Sequence, residues 1–448
     1  MTQSSDTQSK TQPSGKCPFN SANSLTADDP RYAQLFDIVK ETAAHGSEVH
    51  GDLSPAMNAL RERAPVLKGS LRELLNLPVG HHGYSKERQH YTLLSFALCD
   101  RALRENLLFS SEVYKESPGV QRLGKTILEM TGDEHRNYRA VVQPMFLRPK
   151  AVNWWKPNWI DDAVNSLLDR LLDRDVTDLN FDLCARLPVY VVTRGIGMSG
   201  ESALQFREHL QRSSVAARGV DPAEVQRSAA EVSRMLKELI TERRKEPGDD
   251  VISGLINNDL KLPDGSTRKL SDDEIFGYCR LIMLAGGGTT WRQLGITLIA
   301  LLSDYRFWEA CREDRSLIEP AINEGARWLP TDPIFARLVM EDVELEGVHI
   351  PAGSRVDMCL GAANRDPIRW ENPDVFDLFR PQQSHLGFGM GPHRCLGMEI
   401  AKQEMVAAIN GLLDRFPNMT LDKQAPAPEL LGGLEQRGMS AVPVKLRA

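Results

Sequence analysis

The sequence predicts a mainly α-helical protein with a smaller β region, built as one large domain crossed by a long central helix. Three observations carry this. Between residues 92 and 325 Leu, Val and Ile recur at intervals of three and four, as in DDAVNSLLDRLLDRD and AAEVSRMLKELITERRKE, which lines one face of an amphipathic helix. One helix states its own start: Ser271 followed by Glu274 forms a capping box, and the apolar pattern then runs to about Asp304. From Arg337 to Arg355 the period changes, and LVMEDVELEGVHIPAGSRVDM reads as short strands with Gly and Pro at the turns.

Taken in order, residues 1–27 are rich in Ser, Thr and Gln and lack the apolar core of a signal peptide, so a flexible tail is expected there. Residues 29–62 read as helices with polar faces, and RAPVLKGSLRELLNLPVGHHGYSK, from Arg63, as strand-like pieces broken by Pro and Gly. At about 1.5 Å per residue the central helix would be roughly 50 Å long. Its middle, LAGGGTT from Leu284 to Thr290, is unusual. A glycine inside a helix costs about 1 kcal/mol relative to alanine, so three in a row imply that something approaches the backbone closely. Residues 361–391 hold turn chemistry in NRDP, ENPD and RPQQ; a helix resumes at Leu396 and places Cys395 at its N-terminus.

The composition of the 448 residues, 41% hydrophobic and 26% charged, is that of a globular protein with a sizeable core. A formal net charge of −7 argues against nucleic acid as a partner, because phosphates need a basic surface. No run reaches the roughly 18 to 20 apolar residues that cross a bilayer, so no membrane anchor is expected and the cytoplasm is the expected location. The seven cysteines include no CxxC pair, which argues against a disulfide framework or a zinc site and for free thiols in a reducing compartment. Cys99, Cys184, Cys279 and Cys359 sit among apolar residues, and Cys17, in KCPF, reads as an inert thiol of the tail. Cys395, inside HLGFGMGPHRCLG, is the exception.

A cysteine at a helix N-terminus meets the positive end of the helix dipole and unpaired N–H groups, both of which favour thiolate. Gly387, Gly389, Gly391 and Gly397 remove bulk around it, so a large flat group such as a haem could lie against the loop; a tight turn with an incidental cysteine is the other reading. Phe388, Gly391, Cys395 and Gly397 together form F-x-x-G-x-x-x-C-x-G. That pattern resembles the haem-thiolate loop of the cytochrome P-450 superfamily, a group whose iron is held by a cysteine thiolate. Further matches follow the family's order. EGAR supplies the Glu324 and Arg327 of a Glu-x-x-Arg helix, FDLFR supplies Arg380, AGGGTT places Thr289 at the family's threonine, and EHRNYR gives His135 and Arg139.

The resemblance implies a cytochrome P-450 fold over residues 28–448 and a haem b whose iron takes Cys395 as axial ligand. It implies haem contacts from His135, Arg139, Arg337, Phe388, Gly389, His393 and Gly397, with propionates held by the histidines and arginines, and a buried structural network of Glu324, Arg327 and Arg380. The catalytic segment would be Thr289 with its neighbours Gly288 and Thr290; Thr289 would hold dioxygen and a water in a hydrogen-bond network. The pocket walls would be Leu281, Leu284, Ala285, Pro333 and Phe335, all apolar, for a hydrophobic small molecule such as a terpenoid, steroid, fatty acid or aromatic compound. Ser110 to Thr131 and Val189 to Gly219 would form a variable lid. Dioxygen is the expected oxidant, with electrons from NAD(P)H through a separate ferredoxin and ferredoxin reductase that dock on Arg136, Arg148, Lys150, Arg394 and Lys402. Gly288 departs from the family, which usually has Asp or Glu there, and so puts proton delivery in doubt. A peroxide-driven oxygenase, a nitric oxide reductase and a non-catalytic haem protein use the same fold and are the alternatives.

Overall fold

The computed structural model describes Phe36 and residues 49–77, 88–121, 123–198, 200–213, 221–434 and 436–447. The expected tail, Cys17, most of the first expected helices and residues 122, 199 and 214–219 of the expected lid lie outside the described residues.

The central helix runs from Asp272 to Ser303, and its capping box is complete: the Glu274 N–H donates to Ser271 Oγ, and the Ser271 N–H donates to the Glu274 carboxylate. Glu274 also accepts from the Tyr138 hydroxyl at 2.6 Å and from Arg268 at 2.7 Å. Residues pointing in opposite directions, such as Ile275, Cys279, Trp291, Leu294 and Leu298, are all buried, as befits a helix wrapped by protein on most sides. Close approach is arranged by small residues. A Cβ on Gly286 would lie 2.8 Å from Val192 of the neighbouring helix Leu187–Gly195, one on Gly295 would lie 2.5 Å from Asn180 Oδ1, and one on Gly325 of helix Ile318–Trp328 would lie 2.7 Å from Thr297 Oγ1. Of the three consecutive glycines, then, Gly286 is the one a packed neighbour requires.

The β region is larger than the sequence signal at 337–355 indicated. Five strands, β1 (Val66–Lys68), β2 (His90–Leu93), β3 (Phe109–Ser110), β4 (Ile334–Val339) and β5 (Arg355–Cys359), form one sheet in the order β1-β2-β5-β4-β3. Strand β5 runs parallel to β2, with Val356 opposite Tyr91, and antiparallel to β4, with Val356 opposite Arg337. All five residues of β5 are buried, which is the fate of an inner strand. A core of Tyr91, Leu93, Phe109, Val356 and Met358 covers one face of this sheet and includes Leu386 and Met390, the flanks of the glycine-rich loop. Burying Leu386 contributes on the order of 2 kcal/mol, so the loop that carries Cys395 is anchored apolar end first. A second hairpin, Leu430–Gly432 with Arg437–Met439, lies against the central helix. Among the described residues no helix is long and apolar enough to cross a membrane.

Candidate functional site

Helix Met398–Arg415 begins three residues after Cys395, with Gly397 as its N-cap, so the cysteine precedes the helix rather than opening it at Leu396 as the sequence indicated. The loop is closed by its own backbone: the Cys395 N–H donates to Phe388 O at 2.8 Å and the Gly389 N–H to Leu386 O at 2.8 Å. Two of its glycines are required by neighbouring helices. A Cβ on Gly387 would lie 2.3 Å from Ala326 O, and one on Gly391, whose φ is +69°, would lie 2.4 Å from Leu103 O. Gly389 also has positive φ, +66°; Gly397 alone of the four has open space where a Cβ would be. Cys395 opens onto a hollow of about 1090 Å³ bounded by His135, Arg139, Phe146, Gly391 and Arg394. The protein around its sulfur is nevertheless dense enough to push the thiol above its ordinary range, while the Gly397 N–H, Arg139 and Arg394 pull the other way. A coordinated metal removes that conflict, because it takes the sulfur as thiolate outright.

Beside the hollow stands a cluster of donors short of acceptors. The rings of His135 and His393 stack at 3.9 Å, and the Nε2 atoms of both, with Arg337 Nε, are buried without a hydrogen-bond partner among the described residues. Burial pushes His135 down to about 4 and His393 to about 2, and the nearby Arg139 and Arg337 push both further in the same direction, so both imidazoles are neutral near pH 7. Arg139 donates to Arg394 O at 2.6 Å and Gln143 Oε1 at 2.9 Å, and Arg337 to Ala336 O at 2.8 Å; none of these acceptors is a carboxylate. Buried donors left unmade are costly, and a pair of anionic carboxylates is the partner this set lacks. The residues present therefore fit a haem: a cysteine facing a hollow, with two arginines and two imidazoles at one side for propionates.

On the central helix Leu284 and Ala285 are exposed, and Gly288 and Thr289 half-buried; they share one face at the spacing i, i+1, i+4 and i+5. Thr289 Oγ1 donates to Ala285 O at 3.1 Å, one turn back. Thr290 does not join them. It is 6% exposed, because the next residue along a helix points about 100° away, here into the core. Two expected pocket walls are less open than Leu284. Leu281 is buried at 5% exposure, and Pro333 is packed against Gly361 and Met57, facing a void of about 20 Å³. Phe335, on β4, packs beside the Cys395 loop, 4.0 Å from where a Gly389 Cβ would be.

Glu324, Arg327 and Arg380 come together in the interior. Arg327 donates to both oxygens of Glu324 at 2.7 and 2.8 Å, and Arg380 Nε donates to Glu324 Oε1 at 3.0 Å. The arginines also hold the carbonyls of Asn364, Asn372, Pro373 and Val375, so three side chains pin the irregular segment that leads to Cys395. Sequence reasoning missed Asn364, whose Oδ1 accepts from the Leu386 N–H at 2.7 Å; its place in the turn NRDP held no signal for this. It also missed Gln143, which orients Arg139. The expected basic face is smaller than its sequence suggested. Arg136, Arg148, Lys150 and Arg394 are exposed, with Arg136 paired to Asp133 and Arg148 to Glu319 and Glu399, but Lys402 is buried with its ammonium 5.6 Å from the Phe388 ring centroid.

A sequence-family model described as Cytochrome P450 matches residues 221–443. The chain is 34% identical to cytochrome P450 107B1 of Saccharopolyspora erythraea, over 72% of this chain and 78% of the relative. It is 30% identical to 6-deoxyerythronolide B hydroxylase of the same organism, over 77% of this chain and 88% of the relative. Among solved structures, CYP109E1 of Bacillus megaterium in complex with corticosterone superposes with a TM-score of 0.75 at 25% identity, over 89% of this chain and 99% of that one.

Proposed function

The chain belongs to the cytochrome P450 family of monooxygenases, and we propose that it holds haem b through Cys395 and oxidises a hydrophobic small molecule with dioxygen. The observation that carries this reading is the conjunction at the hollow: an accessible cysteine beside His135, Arg139, Arg337 and His393, of which His135 Nε2, His393 Nε2 and Arg337 Nε have no hydrogen-bond partner among the described residues. His135, Arg139, Arg337 and His393 would hold the two propionates, with Phe388, Gly389 and Gly397 against the macrocycle. A thiolate-ligated haem, when bound, supplies insertion of one oxygen atom into a substrate bond, at the expense of two electrons and two protons.

The chain's own part is to seat, orient and protect. Glu324, Arg327 and Arg380 hold the segment before Cys395 rigid, so the sulfur stays aimed. Leu284 and Ala285 give the substrate an apolar wall, which favours a hydrophobic molecule; one solved neighbour binds corticosterone and one relative acts on 6-deoxyerythronolide B, so steroids and compounds of that size are the first to screen. Thr289 can release its bond to Ala285 O and turn its hydroxyl to a water, keeping a donor and an acceptor at the reacting face. Electrons would come from NAD(P)H through a ferredoxin reductase and a ferredoxin, the latter docking on Arg136, Arg148, Lys150 and Arg394. The test is the carbon monoxide difference spectrum of the dithionite-reduced protein. A strongly red-shifted Soret band is expected in the native chain and its loss in Cys395→Ser; a histidine-type band, or no haem, overturns the reading.

A further inference from the structure

A second hollow, of about 940 Å³, shares no wall with the one at Cys395. It lies between the C-terminal end of the central helix, helix Tyr305–Glu313 and the irregular segment that Arg327 and Arg380 pin. Its size is that of a small-molecule site. One of its features is aromatic. Phe307 meets Phe376 and Phe379 edge to face at 5.5 and 6.0 Å, and Trp328 meets Phe376 in the same way at 5.9 Å. Phe379 is 62% exposed and Val375 59%, on a turn that is firmly held: the Phe379 N–H donates to Asp377 Oδ1 at 3.0 Å, and Arg380 Nη2 donates to Val375 O at 3.0 Å. A fixed backbone thus keeps apolar side chains at an open wall.

The other feature is charge. Glu371 and Asp377 line the same hollow, and neither carboxylate has a cationic partner among the described residues. The two cations of the lining are taken, Arg306 by Asp304 at 2.6 Å and Arg380 by Glu324 at 3.0 Å. Two carboxylates therefore stand unbalanced beside the aromatic wall. Trp370, 3% exposed, adds a buried indole N–H without an acceptor among the described residues.

We infer that this hollow binds an organic ammonium ion, at a site separate from the one at Cys395. Aromatic rings attract a cation to their faces, and a carboxylate beside them adds a charge-assisted contact. The Trp370 N–H would meet an oxygen atom of the occupant. An anion would face two unbalanced carboxylates, and a neutral apolar molecule would take water from them and return nothing. The site also touches the Cys395 loop indirectly. Glu371, Asn372 and Val375 give their carbonyls to Arg380, which is bonded to Glu324, so an occupant would steady the segment that leads to Cys395.

The experiment is isothermal titration calorimetry of the full chain, as purified, with phenyltrimethylammonium chloride as the probe. Saturable binding is expected in the native chain. Phe379→Ala should weaken it roughly three- to tenfold, through loss of one cation–π wall. Glu371→Gln should weaken it roughly two- to fivefold, and Glu371→Lys by more than that, because the added charge repels the probe. Both positions are exposed, so all three variants are expected to fold, and an unchanged thermal unfolding midpoint checks this. No saturable binding in the native chain overturns the inference. Unchanged affinity in Phe379→Ala overturns it too, since the probe would then bind elsewhere, and unchanged affinity in Glu371→Lys overturns the choice of a cation. The result is independent of the carbon monoxide spectrum, because the two hollows share no wall.

Discussion

Gly387 to Gly397 in the Cys395 loop and Gly286 to Gly288 in the central helix are both glycine runs at the candidate site, and they answer to different demands. In the loop the close contacts are with backbone, Ala326 O at 2.3 Å and Leu103 O at 2.4 Å from where a Cβ would stand, and two of the glycines have positive φ. Backbone held by neighbouring elements cannot step aside. In the helix the backbone is regular throughout, and the nearest contacts are side-chain ends, Val192 Cγ2 at Gly286 and Arg292 Nη1 at Gly288. Val192 is stiff and fixes Gly286, whereas the contact at Gly288 is an ordinary one. The first segment is over-determined by the fold, while in the second only Gly286 is fixed by a close neighbour and Gly288 has room for a Cβ.

Four substitutions or conditions would break or sharpen this contrast. The largest effect is expected from Glu324→Gln, which leaves Arg327 and Arg380 without their buried counter-charge; a loss of about 3 to 5 kcal/mol in urea unfolding, with failure to retain haem, is the expected outcome. Gly391→Ala comes next, at about 2 to 4 kcal/mol, because φ of +69° and the Leu103 carbonyl act together; near-native stability would mean the loop is softer than its contacts indicate. Gly288→Ala should be close to neutral or stabilise by about 0.5 to 1 kcal/mol, since 3.5 Å is an ordinary contact and alanine favours the helix. An effect of similar size concerns the capped start of the same helix. Arg268 first, then Tyr138 and the Ser271 N–H, hold Glu274 down to about 2, against an ordinary carboxylate value of 4.5. A depressed carboxylate contributes stability above its unfolded pKa and loses it as pH falls, so the stability gap between the native chain and Glu274→Gln should narrow between about pH 4.5 and 2 when urea midpoints are compared. Screening at this partly exposed pair keeps the whole effect near 1 kcal/mol.

The elements most legible in the sequence were those whose signal is local. Ser271 and Glu274 sit three residues apart and cap the helix they announce, and the F-x-x-G-x-x-x-C-x-G run carries its geometry within ten residues. Less legible were positions whose role depends on which way a side chain points. Thr290 differs from Thr289 by one step and is buried by it; Leu281 and Pro333 are as apolar as Leu284 but face packed neighbours. Lys402 reads as a surface cation and packs over Phe388, since on a helix that lies between other helices few directions lead to solvent.

By itself, then, the sequence determined the helical class, the long capped helix and the cysteine that faces the hollow, because spacing, capping and turn chemistry act over a few residues and are written there. Only the tertiary structure decided that His135, from one helix, stacks on His393, from a loop 258 residues later in the chain, that Asn364 pins Leu386, and that Gly438 makes room for Arg292 over Gly288. These are meetings between segments far apart in the chain, set by how the helices and the sheet pack, and no local pattern encodes them.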